Sequence, residues 1–310
     1  MRVGVNLPWL DYGGDFGANA WQPGGGLAEP TKRARLAEGF ERMALLGLRE
    51  VRLFVFCDGR TGLQESDKGQ LTGLDPRVFS DMDAACALAR EHDLGLVPVL
   101  FDFKLFDQAK LVNGVQTGGR RRLVASEDGR RDLLSLVILP LVSRYADERA
   151  IVAWDLFNEP EWAVLGLGGK LPRAAPFVAF RTFFEEAVAR MRSVVSQPLT
   201  VGLASTRGLG LVRGLGLGFH QVHWYDWMES RYPLGRPVAE LALDAPVVLG
   251  EFPTRGSSRS VDEILDTAAA AGYAAAWPWS WGAEDTATDP EAGAQRAAAW
   301  AAAHPQNDAR

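Results

Sequence analysis

Short apolar segments alternate with amphipathic helical segments along the whole chain, and this alternation limits the folds that the chain can adopt. Several apolar segments carry hydrophobic residues at successive positions, as in VPVLF from residue 97 and APVVLG from residue 245. Strands that are apolar on both faces are typical of parallel sheets covered by helices. The pattern therefore predicts an α/β protein built from repeated strand–helix units.

The chain contains eight predicted strands and about eight helices. The strands are predicted at residues 2–7, 50–56, 95–103, 151–157, 199–204, 219–224, 245–250 and 273–279. A single (β/α)8 TIM barrel over residues 1–305 accounts for all of them, with long loops after the first three strands and a frayed tail at 306–310. An open doubly wound sheet is the weaker alternative, because the Gly-rich loop after the first strand lacks the Lys and Ser or Thr of a phosphate cradle.

Two of the predicted strands end in the same way. The strand at 151–157 leads into Asn158, Glu159 and a proline, and the strand at 245–250 leads into Glu251 and, two residues later, a proline. A carboxyl group held at the end of a buried strand is poorly solvated, so its pKa rises toward the range useful for acid catalysis. Since the carboxyl ends of barrel strands meet at one face, the sequence predicts that Glu159 and Glu251 form a catalytic pair.

Further polar and aromatic residues fall at or near the predicted strand ends. Flat tryptophan faces cover the C–H faces of a pyranose, and polar side chains bind its hydroxyl groups. The combination of two carboxylates with aromatic platforms therefore favours a carbohydrate substrate. The predicted substrate-binding residues are Trp9, Arg52, Asp102, Asn158, Trp162, His223, Tyr225, Trp279 and Trp281.

Composition restricts the partners. A net charge of −6 and a pI of about 5.4 argue against nucleic acid and acidic membrane surfaces as partners. Only four histidines occur, too few to favour a metallohydrolase, so we predict no metal and no other cofactor. Cys57 and Cys86 show no metal-type spacing and are predicted to be reduced thiols.

Two further expectations concern location and a basic segment. The first residues already have the pattern of a strand, without a leader-type segment before them, and no stretch has the length of a membrane span, so we expect a cytoplasmic protein. The basic run 120–122 is predicted to be a solvated loop, with a site for an acidic sugar as the alternative.

The order of four motifs resembles that of clan A glycoside hydrolases, most of all glycoside hydrolase family 5, the cellulase and β-mannanase family. The motifs are WDLFNEPE from residue 154, HWY from 223, LGEF from 249 and WPWSW from 277. The resemblance spans the whole predicted barrel. It implies a retaining β-glycoside hydrolase that acts on β-linked gluco- or manno-configured oligo- or polysaccharides by double displacement through a glycosyl-enzyme intermediate.

Residue roles are implied by the same resemblance. Glu159 matches the family's acid/base and Glu251 its nucleophile. Asn158 would bind the sugar 2-hydroxyl, and Arg52 would keep the nucleophile ionised. Tyr225 would donate a hydrogen bond to the nucleophile.

The remaining matches concern the walls and floor of the cleft. His223 would line the same wall as the tyrosine two residues later. Trp279 best matches the tryptophan beneath the sugar at the cleaved bond, and Trp281 is the next candidate. One position departs from the family, because Asp102 stands where a histidine is usual at the end of the third strand. We expect Asp102 either to bind a sugar hydroxyl or to be structural.

Two other functions stay open at this point. A transglycosidase would use the same two glutamates and differ only in its acceptor, which loop shape decides. A non-catalytic carbohydrate-binding barrel is less favoured, because both glutamates are present with their neighbours. The long loops are compatible with exo action on short chains and with endo action on polymers.

Overall fold

Eight parallel strands close into a barrel in the computed structural model, which describes residues 1–66, 68–283 and 285–305. The strands are β1 (Arg2–Val3 and Val5–Asn6), β2 (Glu50–Phe54), β3 (Gly95–Asp102), β4 (Trp154–Asn158), β5 (Leu199–Leu203), β6 (His220–His223), β7 (Val247–Pro253) and β8 (Ala275–Trp279). Their order around the barrel follows the chain, and the two halves of β1 pair with β8 and β2. The predicted (β/α)8 fold is confirmed. The predicted tail at 306–310 lies outside the described residues.

Helices cover the outside of the barrel. The α-helices are Pro30–Leu45, Arg77–Glu91, Arg122–Ala125, Glu127–Leu133, Leu139–Arg144, Phe177–Arg192, Val261–Ala271 and Ala292–Ala303, with a π-helical turn at Leu134–Ile138. After β5 and β6 the chain forms 3-10 turns in place of α-helices, Thr206–Leu211 after β5 and both Asp226–Met228 and Val238–Leu241 after β6. The glycine-rich segment 208–218 does not sustain a regular helix, because glycine gains little from helix formation and loses much conformational entropy. Within the described ranges, no helix is long and apolar enough to cross a membrane.

The loops after β2 and β3 fold into two antiparallel hairpins that the sequence did not predict. They are Leu63–Glu65 with Leu71–Leu74, and Lys110–Val112 with Val115–Thr117. Arg120 joins them, since its Nη2 lies 2.9 Å from Glu65 Oε2 and its Nη1 donates to the Gly118 carbonyl oxygen at 3.0 Å. The prediction of a solvated loop is therefore wrong for Arg120, whose guanidinium is buried because it links two loops.

An apolar layer fills the amino-terminal end of the barrel. Trp277 is its largest member and is buried among small side chains, and its indole N–H donates to Glu50 Oε2 at 3.0 Å. Gly4 lies between the two halves of β1 at this level, and a Cβ atom there would lie 2.7 Å from the Trp277 ring, so the tryptophan fits only against glycine. The tight packing below leaves only the opposite, carboxyl-terminal face open for a site.

Candidate active site

Glu159 and Glu251 face each other at the carboxyl-terminal end of the barrel. Glu251 lies within β7, and Glu159 directly follows β4 with a left-handed backbone conformation (φ 48°, ψ 52°). Such a conformation is strained for a residue with a side chain. The Glu159 N–H donates to the Gly202 carbonyl oxygen at 2.6 Å, which holds the turn against β5. One carboxylate oxygen of each glutamate lies within 4.8 Å of the other.

Glu159 is placed to carry a proton. Its Oε2 accepts a hydrogen bond from Trp162 Nε1 at 2.8 Å, and its Oε1 lies 2.9 Å from His223 Nδ1. Burial raises the pKa of the Glu159 carboxyl to about 7, although the Trp162 bond and the charge of Arg52 act in the opposite direction. Near neutral pH this carboxyl group is therefore a competent proton donor.

Glu251 is placed to react as an anion. Its Oε1 accepts from Arg52 Nη1 at 2.7 Å, and its Oε2 accepts from the Tyr225 hydroxyl at 3.1 Å. Burial raises the pKa of the Glu251 carboxyl, and the Arg52 guanidinium opposes that rise. Burial also raises the pKa of Tyr225, so its hydroxyl keeps the proton that it donates. Two donors on one carboxylate favour the ionised form that a nucleophile requires.

Arg52 organises the polar centre of the barrel. Its Nε donates to Asp155 Oδ2 at 2.9 Å, and its Nη2 donates to Asn158 Oδ1 at 2.7 Å. Its Nη1, which binds Glu251, also donates to Asn6 Oδ1 at 3.1 Å. Although burial acts against the charge, the carboxylates of Asp155 and Glu251 raise the pKa of Arg52, so the guanidinium stays positive. A charged group held by four acceptors on three strands, β1, β4 and β7, is a rigid support for the nucleophile.

Asp155 supports the arginine from below, and the sequence did not single it out. Its side chain is fully buried and accepts hydrogen bonds from Gln221 Nε2 at 2.9 Å and from the Gly202 N–H at 3.1 Å. The available signal was the pair of opposite charges inside two apolar strands, Arg52 in EVRLF and Asp155 in WDLF. Charges in such strands are almost always paired.

Asp102 lies at the end of β3, in the cleft and beside Asn158. The Asn158 Nδ2 donates to Asp102 Oδ2 at 2.7 Å, and the Lys104 N–H donates to Asp102 Oδ1, also at 2.7 Å. Burial raises the pKa of the Asp102 carboxyl to about 7. Because Asn158 is held by Arg52 on its oxygen and by Asp102 on its nitrogen, the orientation of its amide is fixed. The second amide hydrogen is left for a substrate hydroxyl group.

His223 lies beneath the two glutamates and does not form a wall of the cleft. Its Nδ1 is 2.9 Å from Glu159 Oε1 and 3.4 Å from Glu251 Oε2. Burial lowers the pKa of His223 to about 4, so the imidazole is neutral at neutral pH. A neutral ring can donate from Nδ1 to ionised Glu159 or accept there from protonated Glu159. The imidazole can therefore stay hydrogen-bonded to Glu159 in both protonation states of that carboxyl group, without adding a charge to the site.

A cleft of about 370 Å³ opens above these groups. Its aromatic lining consists of Trp9, Tyr12, Phe54, Phe103, Trp162, Tyr225, Trp227 and Trp279. Trp279 packs edge to face on Trp9 at 6.0 Å and donates its indole N–H to Asp285 Oδ2 at 2.7 Å. The structure thus brings Trp9, Trp162 and Trp279 to the cleft, as predicted from the sequence. Aromatic faces beside two carboxyl groups are the surroundings that a pyranose ring needs.

Trp281 is not brought to the cleft. Its side chain is 6% exposed and lies beneath the Arg42 guanidinium, 5.9 Å away. The Trp281 N–H donates to the Asn6 carbonyl oxygen at 2.8 Å, which directs the chain outward over β1. Trp227, which is 65% exposed and stands two residues after Tyr225, does line the cleft, although it was not among the predicted binding residues.

Glu161 is a second buried carboxyl group that the sequence did not single out. It is fully buried and accepts from the backbone N–H groups of Ala204 at 3.0 Å and Ser205 at 3.2 Å. Burial raises the pKa of Glu161 to about 7. Because both oxygens are used by backbone donors, Glu161 fastens the turn after β4 to the end of β5 and so holds Glu159 in place.

One group in the described part of the chain could hold a metal ion. It consists of Glu159, His223 and Glu251, whose potential ligand atoms lie within 4.8 Å of one another. The Arg52 guanidinium already occupies a position 2.7 Å from Glu251 Oε1. A divalent cation next to that charge would be repelled, so the arrangement favours proton transfer and nucleophilic attack.

Comparison with known proteins identifies relatives that cleave glycosidic bonds. The mannan endo-1,4-beta-mannosidase of Mytilus edulis is 26% identical over an alignment of 322 positions, which spans 89% of this chain and 82% of that protein. No protein-family model matches the chain.

Two solved structures share the fold. An endo-1,4-beta-mannanase from Eisenia fetida superposes with a TM-score of 0.83 at 22% identity, covering 99% of this chain and 92% of that one. A glycoside hydrolase family 5, subfamily 18 enzyme from Streptomyces cattleya superposes with a TM-score of 0.69 at 13% identity, covering 100% of this chain and 82% of that one.

The barrel and the paired glutamates at the ends of β4 and β7, together with the Mytilus relative, define the class. This protein is a glycoside hydrolase, and its substrate is a carbohydrate. Within that class it resembles the clan A enzymes of glycoside hydrolase family 5.

Proposed function

We propose that this enzyme hydrolyses internal β-1,4-mannosidic bonds of mannan-type polysaccharides with retention of configuration at the anomeric carbon. The observation that carries the retaining mechanism is the approach of Glu159 and Glu251 oxygens to within 4.8 Å. Retaining glycosidases hold their carboxyl groups about 5–5.5 Å apart, and inverting ones about 6.5–9.5 Å apart. The shorter separation leaves no room for a water molecule between nucleophile and sugar.

The reaction proceeds in two displacements. A Glu251 oxygen attacks the anomeric carbon while the glycosidic bond breaks, and the leaving oxygen takes the proton from Glu159. The product of this step is an ester between the sugar and Glu251. Glu159, now ionised, removes a proton from water, whose oxygen attacks the anomeric carbon and breaks the ester. The first displacement begins with Glu159 protonated and Glu251 ionised, and the second begins with Glu251 esterified and Glu159 ionised. The different hydrogen-bond partners of the two glutamates support these different states.

The manno-configured substrate is supported by the Mytilus relative, which is a mannan endo-1,4-beta-mannosidase. In the site, the Asn158–Asp102 pair faces the cleft and offers an amide hydrogen and a carboxylate oxygen side by side. One sugar hydroxyl group can accept from the first and donate to the second. We assign the recognition of the hydroxyl groups near C2 of the sugar at the cleaved bond to this pair.

A substrate panel tests the proposal. The wild type and Glu251→Ala are incubated with β-1,4-linked manno- and gluco-hexaose and with aryl β-mannosides and β-glucosides. We expect the wild type to cleave mannohexaose at internal bonds into di-, tri- and tetrasaccharides, and Glu251→Ala to be inactive. Release of mannose alone from one end would contradict endo action, and preference for the gluco series would contradict the substrate. Longer oligosaccharides formed at high substrate concentration would favour the transglycosidase alternative.

A further inference from the structure

Trp162 separates the catalytic cleft from a neighbouring cavity of about 390 Å³. We call this cavity the Trp162 pocket, and its lining is Phe103, Phe106, Asp107, Trp162, Gly168, Lys170 and Arg173. Trp162 and Phe103 line both spaces, so a saccharide in the cleft extends directly into the pocket. The pocket is large enough for one to two sugar units.

Its position assigns the Trp162 pocket to the leaving group. The indole N–H of Trp162 is bonded to Glu159, the residue that protonates the leaving oxygen. Glu251, which binds the other half of the substrate, lines the catalytic cleft together with Tyr225 and Trp279 and does not line the Trp162 pocket. A sugar that stacks on the far part of the Trp162 ring therefore belongs to the fragment that departs first.

The pocket is positively charged in a protein whose net charge is −6. Lys170 and Arg173 both line it, and the side chain of Arg173 is 50% exposed. The one carboxylate in the lining, Asp107, lies 3.5 Å from Arg173 and 3.5 Å from Lys104, so it is shared between two cations. Positive charge therefore exceeds negative charge along this wall.

A further cation lies behind the tryptophan. The guanidinium of Arg207 sits 5.9 Å from the Trp162 ring centroid, and its buried Nε has no hydrogen-bond partner in the described structure. The hydroxyl groups of a neutral mannan chain can accept hydrogen bonds from these cations but do not balance their charge. A sugar bearing a carboxylate would find several N–H donors and an aromatic face in one place.

We propose that the Trp162 pocket binds a carboxylate-bearing sugar unit on the leaving-group side of the cleaved bond. The enzyme then prefers acidic substrates, in which a uronic acid or another carboxylated sugar follows the bond to be cut. This inference rests on the proposed β-mannanase function and specifies the chemistry of the departing half of the substrate. From the sequence alone, an acidic-sugar site is an alternative for the run 120–122. The proposed site is instead formed by Lys170 and Arg173.

The test compares two substrates that differ only in charge. β-1,4-Manno-oligosaccharides of three to five sugars are oxidised at the reducing end to the aldonate or reduced to the alditol. Both ends are open chains of the same length, and only the aldonate carries a carboxylate. We expect the wild type to show a kcat/KM about tenfold higher for the aldonate at one of these lengths, as two half-exposed ion pairs allow. The preference should disappear when the ionic strength rises from about 0.02 to about 0.5 M.

Variants assign that preference to the pocket. Lys170→Gln with Arg173→Gln should reduce the aldonate-to-alditol ratio of kcat/KM to about one, whereas Arg149→Gln, an exposed charge before β4 at the other end of the barrel, should leave the ratio unchanged. Equal use of both substrates at every length, or a preference that survives the double substitution, would overturn the inference. Absence of hydrolysis of either series would instead be a failure of the proposed function, so the two failures are distinguishable.

Discussion

Trp162→Phe offers a sensitive test of how the proton donor is tuned. The Trp162 indole N–H donates to Glu159 Oε2 at 2.8 Å and lowers the pKa of that carboxyl. Phenylalanine keeps an aromatic ring and removes the donor. A hydrogen bond to an ionised group contributes about 1.5–3 kcal/mol and one to a neutral group about 1 kcal/mol, so the ionised state loses about 1.4 kcal/mol more. That difference corresponds to about one pKa unit upward for Glu159.

The assay is the pH dependence of kcat/KM on β-1,4-mannopentaose, whose sugar leaving group requires the proton from Glu159. Activity falls on the alkaline side as Glu159 loses its proton, with a pKa of about 7 in the wild type. We expect this limb to move up by about one pH unit in Trp162→Phe. Tyr225→Phe is the matched control, because its hydroxyl donates to Glu251 and its loss should move the acidic limb instead. An unmoved alkaline limb in Trp162→Phe, or the same movement in Tyr225→Phe, would refute the reasoning.

Three further substitutions give expected outcomes. Glu161→Ala should lower the free energy of unfolding by about 2–4 kcal/mol in urea titrations, because two buried backbone N–H groups lose their acceptor. Glu159→Gln should abolish hydrolysis, and it should raise the free energy of unfolding by about 1–3 kcal/mol at pH 8 but not at pH 4. The pKa of Glu159 is about 7 in the folded protein and 4.5 for an ordinary glutamate. Ionisation of the buried carboxyl group therefore destabilises the wild type as the pH rises from 4.5 to 7. Gly202→Ala would place a Cβ 2.5 Å from Arg52 Nη2, and we expect kcat to fall about a hundredfold with an unchanged circular dichroism spectrum.

The fold and the two glutamates could be predicted because they depend on local pattern. Glu159 and Glu251 each end an apolar run, and parallel strands bring such ends together whatever the loops do. The same rule placed Trp9 and Trp279 at the cleft. It did not distinguish Trp279 from Trp281, because the chain leaves β8 between them, and its direction depends on a hydrogen bond to the distant Asn6.

The supporting residues were harder to predict, because their partners are remote in sequence. Asp155 and Gln221 are needed only once β4 and β6 enclose Arg52, and Glu161 has the pattern of an exposed loop residue until the end of β5 covers it. The hairpins after β2 and β3 depend on Arg120, whose charge alone suggested solvent exposure. A buried ion pair between two strands is visible in sequence only as two charges, each inside an apolar segment.

The central claim is that Glu251 and Glu159 cleave a β-glycosidic bond by double displacement. Proton NMR of the first product formed from β-1,4-mannopentaose tests it most directly, because the anomeric signal is read before mutarotation equilibrates the sugar. The account predicts that the β-anomer appears first at the newly formed reducing end, and that Glu251→Ala forms no product. First appearance of the α-anomer would mean a single displacement by water and would contradict the assignment of Glu251 as the nucleophile.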